Sequence, residues 1–287
     1  MTGCQCRCRL LVCRALSRSD PVPSNFNARD AAAYEQVMGR WSRRLAPRFI
    51  DFAGVGEGER LIDVGCGTGS LAFALLAGKN PAELTAVDYS ELYLKAARAA
   101  GADPRLKFEH ADACALPFDD GAFDRALSLL VLHFVPKPEL AVAEMRRVVR
   151  RGGTVAATVW DTYGGFVMQR MFWDTAALLD HAAEAGRAEN YMRTASRPGA
   201  LPEMWTRAGL TDVRDTMLTI RMDYSAFDDF WAPLAAGEGS MGKYVATLDQ
   251  DRLAALARAL RAAYEAGAPD GPRSFAAVAW ACRGTVA

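Results

Sequence analysis

The sequence predicts an α/β protein: a doubly wound, mainly parallel sheet with helices on both faces. Three observations predict it. Between residues 60 and 160, short apolar runs alternate with helical stretches at the spacing of βαβ units. The first of these runs leads into "LIDVGCGTGSLA" (61–72), with three glycines at alternate positions ahead of a helix. The second run ends on an acid, Asp88, 19 residues after Gly69.

The elements follow in order. The chain turns helical from Ala28, and Tyr34, Met38, Trp41 and Leu45 recur at steps of four, three and four, on one helix face. Pro47 is expected to interrupt this stretch and Gly54 to close it. "RLIDVG" (60–65) reads as a buried strand and "SLAFALLA" (70–77) as a short helix ending at Gly78. "ELTAVD" (83–88) is the second strand. Ser90 caps the helix "ELYLKAARAA", which stops at Gly101. "LKFEHAD" (106–112) is the third strand, and "FDRALSLLVL" (123–132) contains a fourth. "PELAVAEMRRVVR" (138–150) is an amphipathic helix expected to close at Gly152 and Gly153, before a fifth strand, "TVAATVW" (154–160). The rhythm then breaks. Residues 164–186 read as one or two helices with no strand after them, 201–210 as a short helix, and 212–224 as a strand. A helix over 251–267 precedes the last strand, 274–284.

This gives a leader over 1–24, rich in Cys and Arg and expected to be disordered, and a single domain over 25–287. Within it lie N-terminal helices (25–55), a core (56–160), a helical region (161–211) and the last two strands with a helical insertion (212–287). Lys+Arg and Asp+Glu are equal at 34 each, so nothing suggests the basic surface that a nucleic acid or an anionic membrane selects. No apolar run reaches the roughly 18 residues of a membrane span. In the leader, Cys4, Cys6, Cys8 and Cys13 have the spacing C-x-C-x-C-x4-C, which fits no zinc pattern, and no metal is expected. A targeting segment and an upstream extension of the reading frame stay open beside simple disorder. Cys66, Cys114 and Cys282 are scattered, like reduced thiols, and suggest a cytoplasmic protein.

The glycine loop cradles a ligand, and its neighbours restrict which. Gly65, Gly67 and Gly69 give G-x-G-x-G, whereas a dinucleotide fingerprint needs glycine where Ser70 stands. No Gly-Lys-Ser/Thr follows, so this is no P-loop. Asp63, two residues before the first glycine, repels a pyrophosphate and attracts an ammonium or another donor. Asp88 is placed to accept hydrogen bonds from both hydroxyls of a ribose. Asp112, in "HADACALPF" (110–118), can accept from an exocyclic amine such as that of adenine, with the Ala113 N–H beside the ring. Three carboxylates matched to an ammonium, a ribose and an adenine describe S-adenosylmethionine.

At these residues the chain resembles the class I S-adenosylmethionine-dependent methyltransferases, of the type-11, quinone-methylase-like kind. "LIDVGCGTGSLA" looks like their first motif and "LTAVDYS" like the acidic loop after strand two. "HADACALPFDDGAFDRALSLLVLHFV" looks like the adenine loop with strand four, and "EMRRVVRRGG" like the helix and turn before strand five, with "RRGG" where the family usually has Pro-Gly-Gly. The likeness spans about 60 to 160. It implies a Rossmann-like seven-stranded sheet of order 3-2-1-4-5-7-6, strand seven antiparallel, with helical insertions after strands five and six. It also implies cofactor contacts from Asp63, Gly65, Cys66, Gly67, Thr68, Gly69, Asp88, Tyr89, Asp112, Ala113 and Leu129. The N-terminal helix would fold over the cofactor with Tyr34 and Met38, while Trp41 packs in the core.

Methyl transfer from a sulfonium is an in-line displacement governed by positioning and exclusion of water. A base helps where the acceptor is a phenol, an enol or a carbon acid, and His133, just past strand four, is the candidate. A purely structural role at that loop fits His133 equally well. His110 is expected at the adenine side or the strand end, and His181 on a solvated helix. Trp160, Asp161 and Tyr163 end strand five and should face the acceptor. Phe166 opens "FVMQRMFW" (166–173), which suits a lid over an apolar acceptor or plain core packing. The resulting expectation is a methyltransferase that takes S-adenosylmethionine and methylates O, C or N of a small organic molecule. No Asn/Asp-Pro-Pro-Tyr/Phe follows strand four and no Pro-Cys nucleophile appears, which disfavours nucleic-acid bases. Two alternatives stand: a non-catalytic S-adenosylmethionine-binding protein and, against Ser70 and Asp63, an NAD(P)-dependent oxidoreductase. The oligomeric state is not legible.

Overall fold

The computed structural model describes residues 31–237 and 239–287. The leader and its four cysteines lie outside the described residues.

Seven strands form one sheet of order β3-β2-β1-β4-β5-β7-β6. They are β1 (Arg60–Val64), β2 (Glu83–Asp88), β3 (Leu106–His110), β4 (Phe123–Leu129), β5 (Val149–Trp160), β6 (Leu210–Tyr224) and β7 (Arg273–Val286). β1 pairs in parallel with β2 and β4, as do β2 with β3 and β4 with β5. β7 runs antiparallel to both its neighbours, β5 and β6. Central strands such as β1 and β4 are buried on both faces, which explains their near-continuous apolar sequence. Strand order reverses between β1 and β4. In open α/β sheets the crevice outside the strand C-termini at such a point is where ligands bind.

Two apolar layers cover the sheet. On one face, α2 (Arg40–Ala53) buries Trp41, Leu45 and Phe49 against α3 (Ser70–Gly78), beside α6 (Val167–Leu179) and α11 (Gln250–Glu265). On the other, α5 (Pro138–Val148) and α8 (Ala200–Arg207) bury Met145 and Trp205, whose Nε1 donates to the Val155 carbonyl at 3.0 Å. α4 (Glu91–Ala100) is capped by Ser90, whose side chain accepts from the Tyr93 N–H.

Several boundaries differ from the sequence reading. Pro47 sits inside α2 and does not end it. Arg43, whose carbonyl loses its helical partner, and Pro47 both lie on the exposed side, while the opposite face is core. The N-terminal stretch is instead interrupted earlier: α1 (Ala31–Tyr34) passes through a π-turn, Glu35–Gly39, into α2. α5 stops at Val148, and β5 begins at once, because Val149 pairs with Phe123 across an irregular register. Gly152 and Gly153 therefore lie within β5. The region after β5 holds α6 and α7 (Ala183–Tyr191), with His181 in the exposed turn between them and not on a helix. α9 (Phe227–Ala235), α10 (Gly239–Val245) and α11 form the insertion before β7. No described helix is long and apolar enough to cross a membrane.

Candidate active site

A cavity of about 160 Å³ opens at the C-terminal ends of β1, β2, β4 and β5. The glycine loop gives Gly65, Cys66 and Gly67. The turn after β2 gives Asp88 and Tyr89, the loop after β3 gives Asp112 and Ala113, and β4 gives Leu129. Tyr34, just before the π-turn, and Met38, within it, close over the cavity, and Trp160 forms a wall. π-turns are frequent at functional sites because they re-aim successive side chains.

The loop conformation explains its glycines. Gly65 has φ +79°, and a Cβ there would meet the Val131 side chain at 2.5 Å. Gly67, at φ +55°, would meet nothing nearer than the Tyr34 hydroxyl at 3.6 Å, so its open side faces the cavity. Asp88 fixes the loop. Its Oδ2 accepts from the Gly67 N–H and its Oδ1 from the Ser90 N–H, both at 2.8 Å. Burial raises its pKa, and these bonds offset part of the rise. Asp112 Oδ1 accepts from the Cys114 N–H at 2.8 Å, which shapes the third loop as an Asx turn.

Asp63 is the unusual group. It is fully buried in the cavity wall, and neither carboxylate oxygen has a hydrogen-bond partner of normal geometry. Burial and the nearby Asp88 push its pKa up to about 8, against a smaller opposing pull from the Ala72 N–H. The Ser70 hydroxyl, on the same cavity, is likewise unpartnered. Buried polar groups in native proteins are nearly always satisfied, so this pair marks where a ligand's donors would sit. Burial pushes the Cys66 thiol well above its usual range, which makes it inert packing in the wall. Burial also raises the Tyr34 phenol, whose ring lies 4.8 Å from that of Tyr93.

A second cavity, of about 40 Å³, adjoins the first and shares Tyr34, Met38, Phe134 and Trp160 with it. Trp160 Nε1 donates to Met38 Sδ at 3.3 Å, so these two form the partition. The second cavity holds His133, Thr162, Phe166, Gln169, Arg193 and Ser240. A third, of about 20 Å³, continues from it past Val37, Phe166 and Met241 to Met168 and Met222.

Some expected site residues stand elsewhere. Thr68 does not line the first cavity; its hydroxyl donates to Glu35 Oε1. Gly69 does not line it either, as it caps α3 against the Phe73 ring. His133 lies outside the first cavity, buried in the second with Nδ1 unpartnered. Burial and the Arg193 charge hold it well below its usual pKa, so it is a neutral imidazole and a poor base. Tyr163 is exposed and lines none of the three cavities. Asp161 accepts from the Tyr163, Gly164 and Gly165 N–H groups and closes the turn after β5. His110 lies at the strand end, its Nε2 2.9 Å from the Tyr89 carbonyl. The sequence reading missed Glu35, Ser42, Ser70, Leu130, Phe134 and Arg193. Leu130, at φ +63° on the cavity wall, carries a backbone conformation unusual for its type.

Residues 62–157 match the family described as methyltransferase domain. The match covers about a third of the chain, from β1 into β5, and over that stretch the chain is similar to methyltransferase domains. An uncharacterized protein of Mycobacterium tuberculosis is 36% identical over 134 residues, 46% of this chain and 47% of that protein. The demethylmenaquinone methyltransferase of Clavibacter sepedonicus is 39% identical over 106 residues, 37% of this chain and 42% of that enzyme. The chain thus matches about half the length or less of these curated relatives. Across the whole methyltransferase fold, the YcgJ protein of Bacillus subtilis superposes with a TM-score of 0.55 at 18% identity, over 86% of this chain and 98% of that one.

Proposed function

We propose that this protein is an S-adenosylmethionine-dependent methyltransferase acting on a small organic acceptor. The observation that carries the reading is Asp63. A buried carboxyl group with both oxygens unpartnered, facing a cavity under a glycine turn, fits the ammonium of an amino-acid moiety, whose positive charge would favour its ionised form. Asp88 would hold the ribose, since each oxygen keeps a lone pair beyond its backbone bond. The open side of Gly67 would admit the ligand against the backbone, and Asp112 with Ala113 would meet the adenine. Bound there, the cofactor supplies an electrophilic methyl on a sulfonium.

The chain's own part is positioning. Tyr34 and Met38 cover the first cavity and keep water out. Trp160 and Met38 separate it from the second cavity, where the acceptor would enter. Phe166 and the methionines of the third cavity suit an apolar acceptor body, because thioether side chains repack around varied shapes. The relative from Clavibacter sepedonicus is, by its name, a methyltransferase of demethylmenaquinone, in line with that reading.

The test is transfer of a labelled methyl group. Protein with methyl-tritiated S-adenosylmethionine and a panel of phenols, quinols and enolic polyketides should label at least one acceptor and release S-adenosylhomocysteine. Cofactor binding with no transfer across the panel would favour the non-catalytic alternative.

A further inference from the structure

The second cavity holds more hydrogen-bonding groups than its residues use. Asn190 Oδ1 alone accepts from Arg193 Nη2 at 3.1 Å, Ser240 Oγ at 2.9 Å and Gln169 Nε2 at 3.5 Å. Arg193 Nη1 donates to the His133 carbonyl at 3.3 Å. A guanidinium has five N–H donors, so most of this one's capacity remains. It lies 4.5 Å over the Phe134 ring, and no described carboxylate lies within ion-pair distance of it. Burial pushes its pKa down to about 10, against a smaller opposing pull from the Glu189 charge.

Three further polar atoms on this cavity are buried and unpartnered: His133 Nδ1, Thr162 Oγ1 and Gln169 Oε1. Each residue is at least nine-tenths buried. Orphan buried polar atoms are rare and costly in native proteins, so three in one small cavity beside a guanidinium make a polar ligand site. The neutral His133 ring, next to a cation, is suited to hydrogen bonding and not to taking up a proton.

We propose that the second cavity receives an anionic oxygen group of the methyl acceptor, a carboxylate or an ionised acidic hydroxyl, and that Arg193 is its anchor. This rests on the methyltransferase reading and deepens it. The acceptor is an acid with an apolar body: its charged end meets the donors of Arg193 and Thr162, and its apolar part points toward the methionines of the third cavity. Arg193 is thereby a specificity-determining residue, and neutral analogues of the same shape are excluded.

The experiment titrates benzoate and 2-hydroxybenzoate against their amides, benzamide and 2-hydroxybenzamide, by calorimetry. It is done with and without saturating S-adenosylhomocysteine, whose own binding is measured first. The acids should bind at least about tenfold more tightly than the amides, the difference between a charge-assisted and a neutral hydrogen-bond set. Arg193→Gln should erase that preference, Arg193→Lys should keep part of it, and both should bind S-adenosylhomocysteine as the parent does. Equal affinity for acids and amides in the parent protein, or no binding of either acid, overturns the proposal. So does an unchanged preference in Arg193→Gln. If S-adenosylhomocysteine fails to bind but the acids keep their advantage, the cofactor reading falls and the anion site stands.

Discussion

Asp63 links the physics of the site to a measurable pH dependence. Its folded pKa, about 8, lies above the usual carboxylate range. The folded protein therefore holds a proton that the unfolded chain releases from about pH 4 upward. Stability from this group is fully present below that unfolded value and is lost as pH rises through about 8, by up to about 1.4 kcal/mol per unit. The Tm of the ligand-free protein should fall between pH 6 and 8, and Asp63→Asn should flatten that decline. The same substitution should weaken S-adenosylhomocysteine binding by about 30-fold or more, the cost of losing one member of a buried charge pair. A steep decline retained in Asp63→Asn would show that another group carries the titration. Asp63 and Asp88 were legible in the sequence because β1 and β2 place them at strand ends beside a recognisable glycine turn. Arg193 was not, since its partners His133 and Asn190 come from a loop after β4 and from α7. No local spacing announces such a meeting.

At the scale of elements, the N-terminal helical stretch is tied to the glycine loop through one side chain. Glu35 accepts from Thr68 of the loop and pairs with Arg43 of α2. The ion pair is partly exposed and adds little to stability, about 0–1 kcal/mol. Glu35→Ala should therefore change Tm by no more than a few degrees, yet weaken S-adenosylhomocysteine several-fold by loosening Tyr34 and Met38. Equal loss of stability and binding would mean that the tie is structural. Gly65→Ala should act on both, because its Cβ would collide with Val131 at a positive φ. Strain of this kind costs about 1–3 kcal/mol, and thermal unfolding would report it. The sequence marked Tyr34, Met38, Trp41 and Leu45 as one face, and Trp41 and Leu45 are core while Tyr34 and Met38 line the cavity. The π-turn that contains Met38 shifts the register between the two duties, and helical periodicity carries no sign of it. Pro47 misled for a related reason, as a helix tolerates proline where the freed carbonyl meets water.

Across the whole molecule, strand order and glycine turn together create the site, and the periphery holds them in place. Arg125 of β4 binds Glu59 through Nε and Nη2 at 2.9 and 2.8 Å and donates to the Ala53 carbonyl at 2.7 Å, fixing α2 to the base of the sheet. Arg125→Ala should cost about 1–3 kcal/mol, because it leaves the partly buried Glu59 carboxylate and the buried Ala53 carbonyl without their donor. Denaturant unfolding should show that loss with cofactor affinity unchanged. Alternation of strands and helices made the first five strands legible, and resemblance supplied the sheet order. The late helices and the second cavity depend on contacts among α6, α7 and α10, which no motif encodes. The most direct measurement is calorimetric titration of the parent protein and Asp63→Asn with S-adenosylmethionine, S-adenosylhomocysteine and NADH at pH 7. The account predicts that the first two bind the parent protein and release close to one proton as Asp63 ionises, that both are weakened in the variant, and that NADH does not bind. Binding of NADH, or binding of S-adenosylmethionine undiminished in Asp63→Asn, would contradict it.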